Sequence, residues 1–249
     1  TTNLTDADYV RIRYDATWGN LTDIAGNPLA SSELFVGGMG ANTIDLSNYG
    51  SDMKVTLRGN GGDDILTATS ANDVVIDGGG ADRLSGGQGA DTFRLIENGS
   101  TTAYAQDVVV IGIGDSPARS TSTVDTITGS STSPAGTGFD ISSTDVTKHD
   151  VLSLQSKLIA SDMSHVDGLD VGTLAKHSIT GGILTFESAT GSGISINSGN
   201  ILNAVSYLSQ NLTTAGVTVA FEMDTDGNGS NDSLMVFQNN GVVTLDGNY

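Results

Sequence analysis

Cysteine is absent from all 249 residues, which excludes disulfides, a thiol nucleophile and any Cys-ligated metal. Basic residues are scarce. Ten Lys and Arg stand against 29 Asp and Glu, a net charge of −19 that makes nucleic acid and anionic membranes poor partners. Proline occurs three times, and no apolar run approaches the roughly 18–20 residues of a membrane span. The start, Thr1-Thr2-Asn3-Leu4-Thr5-Asp6, has neither the basic residues nor the apolar stretch of a cleavable signal peptide. The expectation is a processed fragment, or a chain exported by a route that does not read the N-terminus. Signatures of catalysis are missing too. His149, His165 and His177 stand alone, without the H-E-x-x-H of a zinc protease, and each is expected at the surface. Ser192 lies in Thr190-Gly191-Ser192-Gly193, which reads as a turn, and no G-x-S-x-G nucleophile elbow occurs. The chain is expected not to be an enzyme.

Aspartate and glycine fill the space. Only four of the acids are Glu (Glu33, Glu97, Glu187 and Glu222), which leaves 25 Asp. Gly supplies 33 positions, near double the usual share of about 7%. Asp is short, sits readily in turns and joins backbone carbonyls around a hard cation. Gly reaches φ > 0 without steric cost. Together they predict an all-β fold of short strands and many tight turns.

Composition separates four regions. Residues 1–36 hold the β-type runs Tyr9-Val10-Arg11-Ile12-Arg13-Tyr14 and Leu34-Phe35-Val36. Residues 37–94 are repetitive. Residues 95–150 alternate strands with a Ser/Thr/Gly-rich stretch at 116–138 that reads as a surface loop. In 151–249, Ile179-Thr180 and Ile183-Leu184-Thr185-Phe186 flank the turn Gly181-Gly182, which predicts a hairpin. One short helix is expected there: Ile201, Leu202, Val205, Leu208 and Leu212 share one face, with Asn197 or Ser198 placed to cap it. A second hairpin, 217–221 with 233–237, encloses an acidic loop.

Laid out in nines, residues 59–94 read GNGGDDILT, ATSANDVVI, DGGGADRLS and GGQGADTFR. The template G-G-x-G-x-D-x-U-x, with U a large apolar residue, is met in full by the fourth. The first departs once (Asn60), as does the third (Asp77). The second keeps Asp73 and Val75, and its turn has no glycine. A further copy, GGMGANTID, spans 37–45 with Asn42 in the Asp place; it starts 22 residues before Gly59, out of register with a period of nine. In each nine the last three residues are expected to form a strand whose U side chain (Leu66, Val75, Leu84, Phe93) points inward. The six before them form a turn. Two nines close one coil, so Asp64 is expected over Asp82 and Asp73 over Asp91. With Asn42 and turn residues such as Gly59, Gly62, Gly80 and Gly89, such pairs form the all-oxygen cage that calcium prefers.

This block resembles the RTX (repeats-in-toxin) family, calcium-binding proteins exported by type I secretion, and Gly89-Ala90-Asp91-Thr92-Phe93 is a typical end to such a block. The resemblance implies a parallel β-roll, several calcium ions and the type I secretion machinery as a partner. The run Asp145-Val146-Thr147-Lys148-His149-Asp150-Val151-Leu152-Ser153-Leu154 is similar to the acidic step into a Leu-rich strand that follows such rolls. It adds Asp150, and with it Asp125, to the expected ligands. A separate signature lies at 224–232, where Asp224, Asp226, Asn228 and Asp232 offer oxygens at positions 1, 3, 5 and 9, with Gly229 at position 6. Met235 stands where an EF-hand needs its bidentate Glu, so the segment resembles the D-x-D-x-N-G loops of extracellular β proteins. The Ser230 carbonyl is expected to complete that site.

The helix, the acidic loop and Phe237-Gln238 together resemble the C-terminal module of RTX surface-layer and adhesin proteins. Leu21-Thr22-Asp23-Ile24-Ala25-Gly26-Asn27-Pro28-Leu29-Ala30 resembles the closing strands of bacterial Ig-like repeats. That makes 1–36 the tail of an upstream sandwich; the alternative is a pair of strands that caps the roll. The expected function is an extracellular calcium-binding structural protein, a lattice-forming surface-layer component that assembles with itself, with cell-surface polysaccharide as a further partner. Two other functions fit the same residues: the end of a large adhesin, and the secretion-and-folding tail of an enzyme.

Overall fold

The D-x-U-x tail of each nonapeptide forms a three-residue core of strand, and successive strands alternate between two sheets. The computed structural model describes residues 10–14, 32–49, 53–96, 105–112, 115, 125–128, 149–154, 156–231 and 233–239. They fall into two units that divide between Ser153 and Leu154.

The first unit runs β1 (Val10–Tyr14), β2 (Ser32–Val36), β3 (Thr43–Asp45), β4 (Val55–Gly61), β5 (Ile65–Thr67), β6 (Val74–Gly79), β7 (Arg83–Ser85), β8 (Thr92–Arg94), β9 (Val108–Val110), β10 (Thr126–Thr128) and β11 (Val151–Ser153). From β2 onward the even-numbered strands stack in parallel in one sheet and the odd-numbered strands in the other. This is the parallel roll expected from the spacing. Within the repeats the register advances by 18 residues, as in Leu57 on Val75 and Leu66 on Leu84. Phe35, Leu57, Val75 and Phe93 line one inner face, and Ile44, Leu66, Leu84 and Val109 the other, none more than 2% exposed. Each such burial stabilises by about 1.5–3 kcal/mol.

Three sequence expectations need correction. The copy at 37–45 is not out of register: β3 pairs with β5 at an offset of 22 residues, and the four extra residues lie between β3 and β4. The coil also runs past Arg94. Strand β9 pairs with β7 at an offset of 25, β10 with β8 at 34 and β11 with β9 at 43, so the rungs keep their pairing while the length of chain between them varies. One of these rungs, Thr126–Thr128, lies inside the stretch read as a surface loop. At the other end, β2 pairs in parallel with β4 while β1 lies antiparallel on β2, the arrangement of strands that cap the roll. The Ig-like motif at 21–30 lies outside the described residues.

The second unit comprises β12 (Leu158–Ile159), β13 (Met163–Val171), β14 (Leu174–Thr180), β15 (Ile183–Glu187), β16 (Gly193–Ile194), β17 (Ile196–Asn197), α1 (Ile201–Asn211), β18 (Val217–Asp224) and β19 (Ser233–Gln238). They build one mixed sheet in the order β12-β18-β15-β14-β13, with β16 on β15 and both β17 and β19 on β18. Both hairpins form as read, the first through Gly181 and Gly182 at φ of 59° and 81°. Helix α1 lies against β13, β14 and β17 and buries Ile201, Ala204, Tyr207 and Leu208. Leu202, expected on that face, is 52% exposed. The N-cap is Asn200 instead of Asn197 or Ser198, and its side chain ties down the preceding turn by accepting from the Asn197 N–H at 2.8 Å. Phe186 and Phe221 meet edge to face at 5.3 Å in the core. His177, expected at the surface, is 2% exposed among them.

Candidate metal centre

Because the strands stack in register, the aspartate before each strand stands over the next one. On one edge the Asn42 N–H donates to Asp64 Oδ1 (2.7 Å), Asp64 to Asp82 (2.7 Å), Asp82 to Asp107 (2.9 Å) and Asp107 to Asp150 (3.0 Å). On the other edge the Val55 N–H donates to Asp73 Oδ1 (2.7 Å), Asp73 to Asp91 (2.7 Å) and Asp91 to Asp125 (2.9 Å). The aspartate carbonyls are tied as well: those of Asp64 and Asp73 accept from Arg83 and Thr92 one rung on. The result is two carboxylate ladders, buried except for the half-buried Asp125. Asp64 stands on Asp82 and Asp73 on Asp91, in the columns that the period of nine requires.

The ladder engages one oxygen of each carboxylate and leaves the other to its own turn. Asp64 Oδ2 and Asp91 Oδ2 are buried without a hydrogen-bond partner. Glycine at the first position of the nine makes room for them, since a Cβ at Gly59 or Gly86 would collide with that oxygen. The second and fourth positions turn the chain through positive φ: Asn60, Gly78 and Gly87 at the second, Gly62, Gly80 and Gly89 at the fourth. Asn60 substitutes for glycine there because Asn tolerates the left-handed region better than other side chains.

The second repeat behaves differently. Asp73 Oδ2 accepts from both the N–H and the hydroxyl of Thr69, at 2.9 and 2.7 Å, so both its oxygens are already engaged. Of the four repeat aspartates expected as ligands, it is the one whose second oxygen is held within its own turn by a side chain.

These carboxylates lie together with little positive charge nearby. Burial, followed by neighbouring carboxylates, raises Asp91 to about 8 and Asp107 to about 9, Asp77 acting most strongly on the latter. Burial likewise raises Asp64 to about 6 and Asp125 to about 7. Asp73 is raised by burial and drawn back by its hydrogen bonds and by Lys54. Fixed oxygens, no room for side chains and a shortage of counter-charge suit a hard divalent cation. One group is closer than the rest: carboxylate oxygens of Asp77, Asp82 and Asp107 all lie within 4.8 Å of one another.

Asp77 and Asp107 were not singled out from the sequence, and Asp125 and Asp150 only by resemblance. A signal for the rungs exists. Asp107-Val108-Val109-Val110, Asp125-Thr126-Ile127-Thr128 and Asp150-Val151-Leu152-Ser153 repeat the D-x-U-x tail of the nonapeptide after its glycine turn has been replaced. Asp115 substitutes for such a turn at one point, its carbonyl accepting the Gly89 N–H at 3.1 Å.

In the acidic hairpin, Asp224 Oδ1 and Oδ2 accept from Gly227 and Gly229 N–H at 2.7 and 2.8 Å. Asp226 accepts from Asn228 N–H at 3.0 Å, and Asn228 from Ser230 N–H at 2.8 Å. The loop is a series of Asx turns. Asp232 lies outside the described residues.

One family matches the chain. Residues 58–93 match the RTX calcium-binding nonapeptide repeat in four copies. No curated protein and no solved structure matches it.

Proposed function

The chain carries RTX calcium-binding repeats, and from that premise we propose that it is a non-catalytic surface-layer component whose calcium-loaded roll fixes the shape of a subunit that assembles with its own copies. Calcium is the ion these repeats bind, and RTX repeats mark a secreted protein of the kind that type I machinery exports. The observation that carries the reading is the pair of carboxylate ladders, with Asp64 Oδ2 and Asp91 Oδ2 buried and without hydrogen-bond partners. Asp64, Asp82 and Asp91, with the carbonyls of Gly59, Gly62, Gly80 and Gly89, would hold ions within the repeats. Asn42 and Asp150 would end one ladder and Asp125 the other, and Asp224, Asp226, Asn228, Ser230 and Asp232 would supply a separate site in the acidic hairpin. Bound calcium cancels carboxylate repulsion and couples folding to the extracellular millimolar range.

A non-catalytic role fits the way that Ser178, His165 and Glu187, a triad-like set among the described residues, are connected. Ser178 Oγ donates to Glu187 Oε1 at 2.7 Å, and His165 Nδ1 meets Glu187 Oε2 at 2.6 Å. Both bonds end on the carboxylate, so the imidazole does not face the hydroxyl as it does in a Ser-His-acid relay. Electron microscopy of the native protein tests the lattice: ordered two-dimensional sheets with calcium, lost in EGTA, are the expected result. Dispersed particles in both conditions, with binding on a glycan array, would replace the lattice with an adhesin.

A further inference from the structure

His177, on β14, points into the core of the second unit and is 2% exposed. Across the sheet it faces Val166 of β13 and Phe186 of β15. Tyr207 of α1 covers it edge-on, with ring centroids 5.7 Å apart. Nδ1 shares one hydrogen bond with the Tyr207 hydroxyl at 2.9 Å, and the buried Nε2 has no hydrogen-bond partner. The site thus serves one ring nitrogen and leaves the other without a protein partner. It suits a neutral imidazole and has no place for a second N–H.

The charged groups around it do not repair this. Helix α1, ILNAVSYLSQN, carries none. Strand β13 brings His165, Asp167 and Asp170, β14 brings Lys176 and β15 brings Glu187. Glu187 favours the charged imidazole, but burial outweighs it and holds His177 below its ordinary 6.5. Burial, with Asp170, Asp167 and Glu187, pushes the Tyr207 phenol up to about 12, so it stays a neutral hydroxyl and supplies no counter-charge.

We propose that the His177–Tyr207 pair is an acid-sensitive catch, which on protonation of the imidazole releases α1 from the sheet of the second unit. In the neutral pair a single proton lies between Nδ1 and Oη. In the charged pair both ring nitrogens are donors, so the Tyr207 proton is turned away and the Nε2–H faces apolar side chains at the same time, where each neutral tautomer has only one of the two. Lifting α1 admits water to both. The open form binds the extra proton more readily than the closed one. Its population therefore rises as pH falls below about 6.5, at most about tenfold per pH unit for one proton, and levels off once the closed form titrates.

The test is hydrogen exchange of the α1 amides in the full chain at saturating calcium, between about pH 7.5 and pH 5, with protection of β4–β8 as the control for calcium loss. After correction for intrinsic exchange, α1 protection should fall by up to about tenfold per unit below about pH 6.5. His177→Phe, which cannot charge, should abolish the fall. Protection that does not depend on pH, or a fall retained in His177→Phe, overturns the proposal. If that variant does not fold, the His177 ring resonance in the unaltered protein decides, and titration at or above 6.5 overturns it equally.

Discussion

Where the second unit buries rings, the first buries carboxylates. Tyr207 of α1 meets Phe186, and Phe186 meets Phe221, edge to face at 5.9 Å and 5.3 Å within a cluster of buried apolar side chains. The roll has one inward U residue per strand, and Asp64, Asp73, Asp82, Asp91 and Asp107 stand beside them at 1–3% exposure. Rings close a core without help from solvent ions. Buried carboxylates do the reverse, since each lacks water and repels its neighbour until a cation lies between them. The expectation is one unit that assembles by packing and another whose assembly needs an ion.

Calcium removal should separate the two most sharply. In excess EGTA near pH 8, the amides of β4–β8 should lose protection while those of β14, β15 and β18 keep theirs. Occupancy at about 100 times Kd contributes about 2.7 kcal/mol per site, so a few sites equal the about 5–15 kcal/mol of an ordinary domain. Millimolar calcium should restore the roll and magnesium should not, because magnesium demands tighter octahedral geometry. Equal loss in both units would break the comparison.

Acid should move the units in opposite directions, a smaller effect. In the metal-free fold Asp64, Asp125, Asp91 and Asp107 are raised to about 6, 7, 8 and 9, against 3.8 for ordinary Asp. A folded roll then holds protons that the unfolded chain does not. Its stability is lowest above about pH 9, rises as pH falls through these values, and stops rising near about pH 4. Strand circular dichroism lost in EGTA at about pH 9 should return in part at about pH 5. His177 is shifted downward by burial, so the second unit should lose stability over the lower part of the same range. With calcium bound the roll reverses sign, since protons compete with the ion for the same oxygens.

Within the roll, Asp91 and Asp73 sharpen the comparison. Both sit in one ladder, but Asp91 Oδ2 is buried without a partner while Thr69 holds Asp73 Oδ2. Asp91→Asn should weaken calcium binding by about tenfold or more, measured by titration calorimetry, and Asp73→Asn by about threefold or less. Equal losses would mean that Thr69 yields its partner to the ion.

The period of nine made the repeat columns legible, because an 18-residue coil leaves the stacking of Asp64 on Asp82 no alternative register. Asp107 was hidden by the longer stretch of chain before it, and Asp125 and Asp150 were legible only through the family resemblance. Strand pairing fixes the rungs, and a loop between rungs lengthens at a cost that grows only slowly with its length. The D-x-U-x tail therefore persists while the glycine turn does not. Asp77 was read as a lapse from the template, although its carboxylate joins those of Asp82 and Asp107. His177 had no local signal. Its burial is set by Tyr207, thirty residues away on α1.

The smallest expected effect asks whether the acidic hairpin stands apart from its unit as a second ion-dependent element. Asp224 is 7% exposed and accepts from two glycine N–H groups, at Gly227 and Gly229, both held at positive φ. Asp226 is exposed and, among the described residues, accepts from Asn228, through both its N–H and its side-chain amide. In EGTA, Asp224→Ala should cost about 1–3 kcal/mol, because it removes hydrogen bonds to a charged acceptor at the end of β18. Asp226→Ala should cost less than about 0.5 kcal/mol, as ordinary surface changes do. By thermal melting of the second unit this is a fall of a few degrees against nearly none. With calcium present the gap narrows if the loop binds an ion, because each variant then loses a ligand bond and the Asp226 variant should fall almost as far as the Asp224 variant. If Asp226→Ala melts alike with and without calcium, the loop is a turn held by its own Asx bonds, and the second unit takes no stability from the ion at this hairpin.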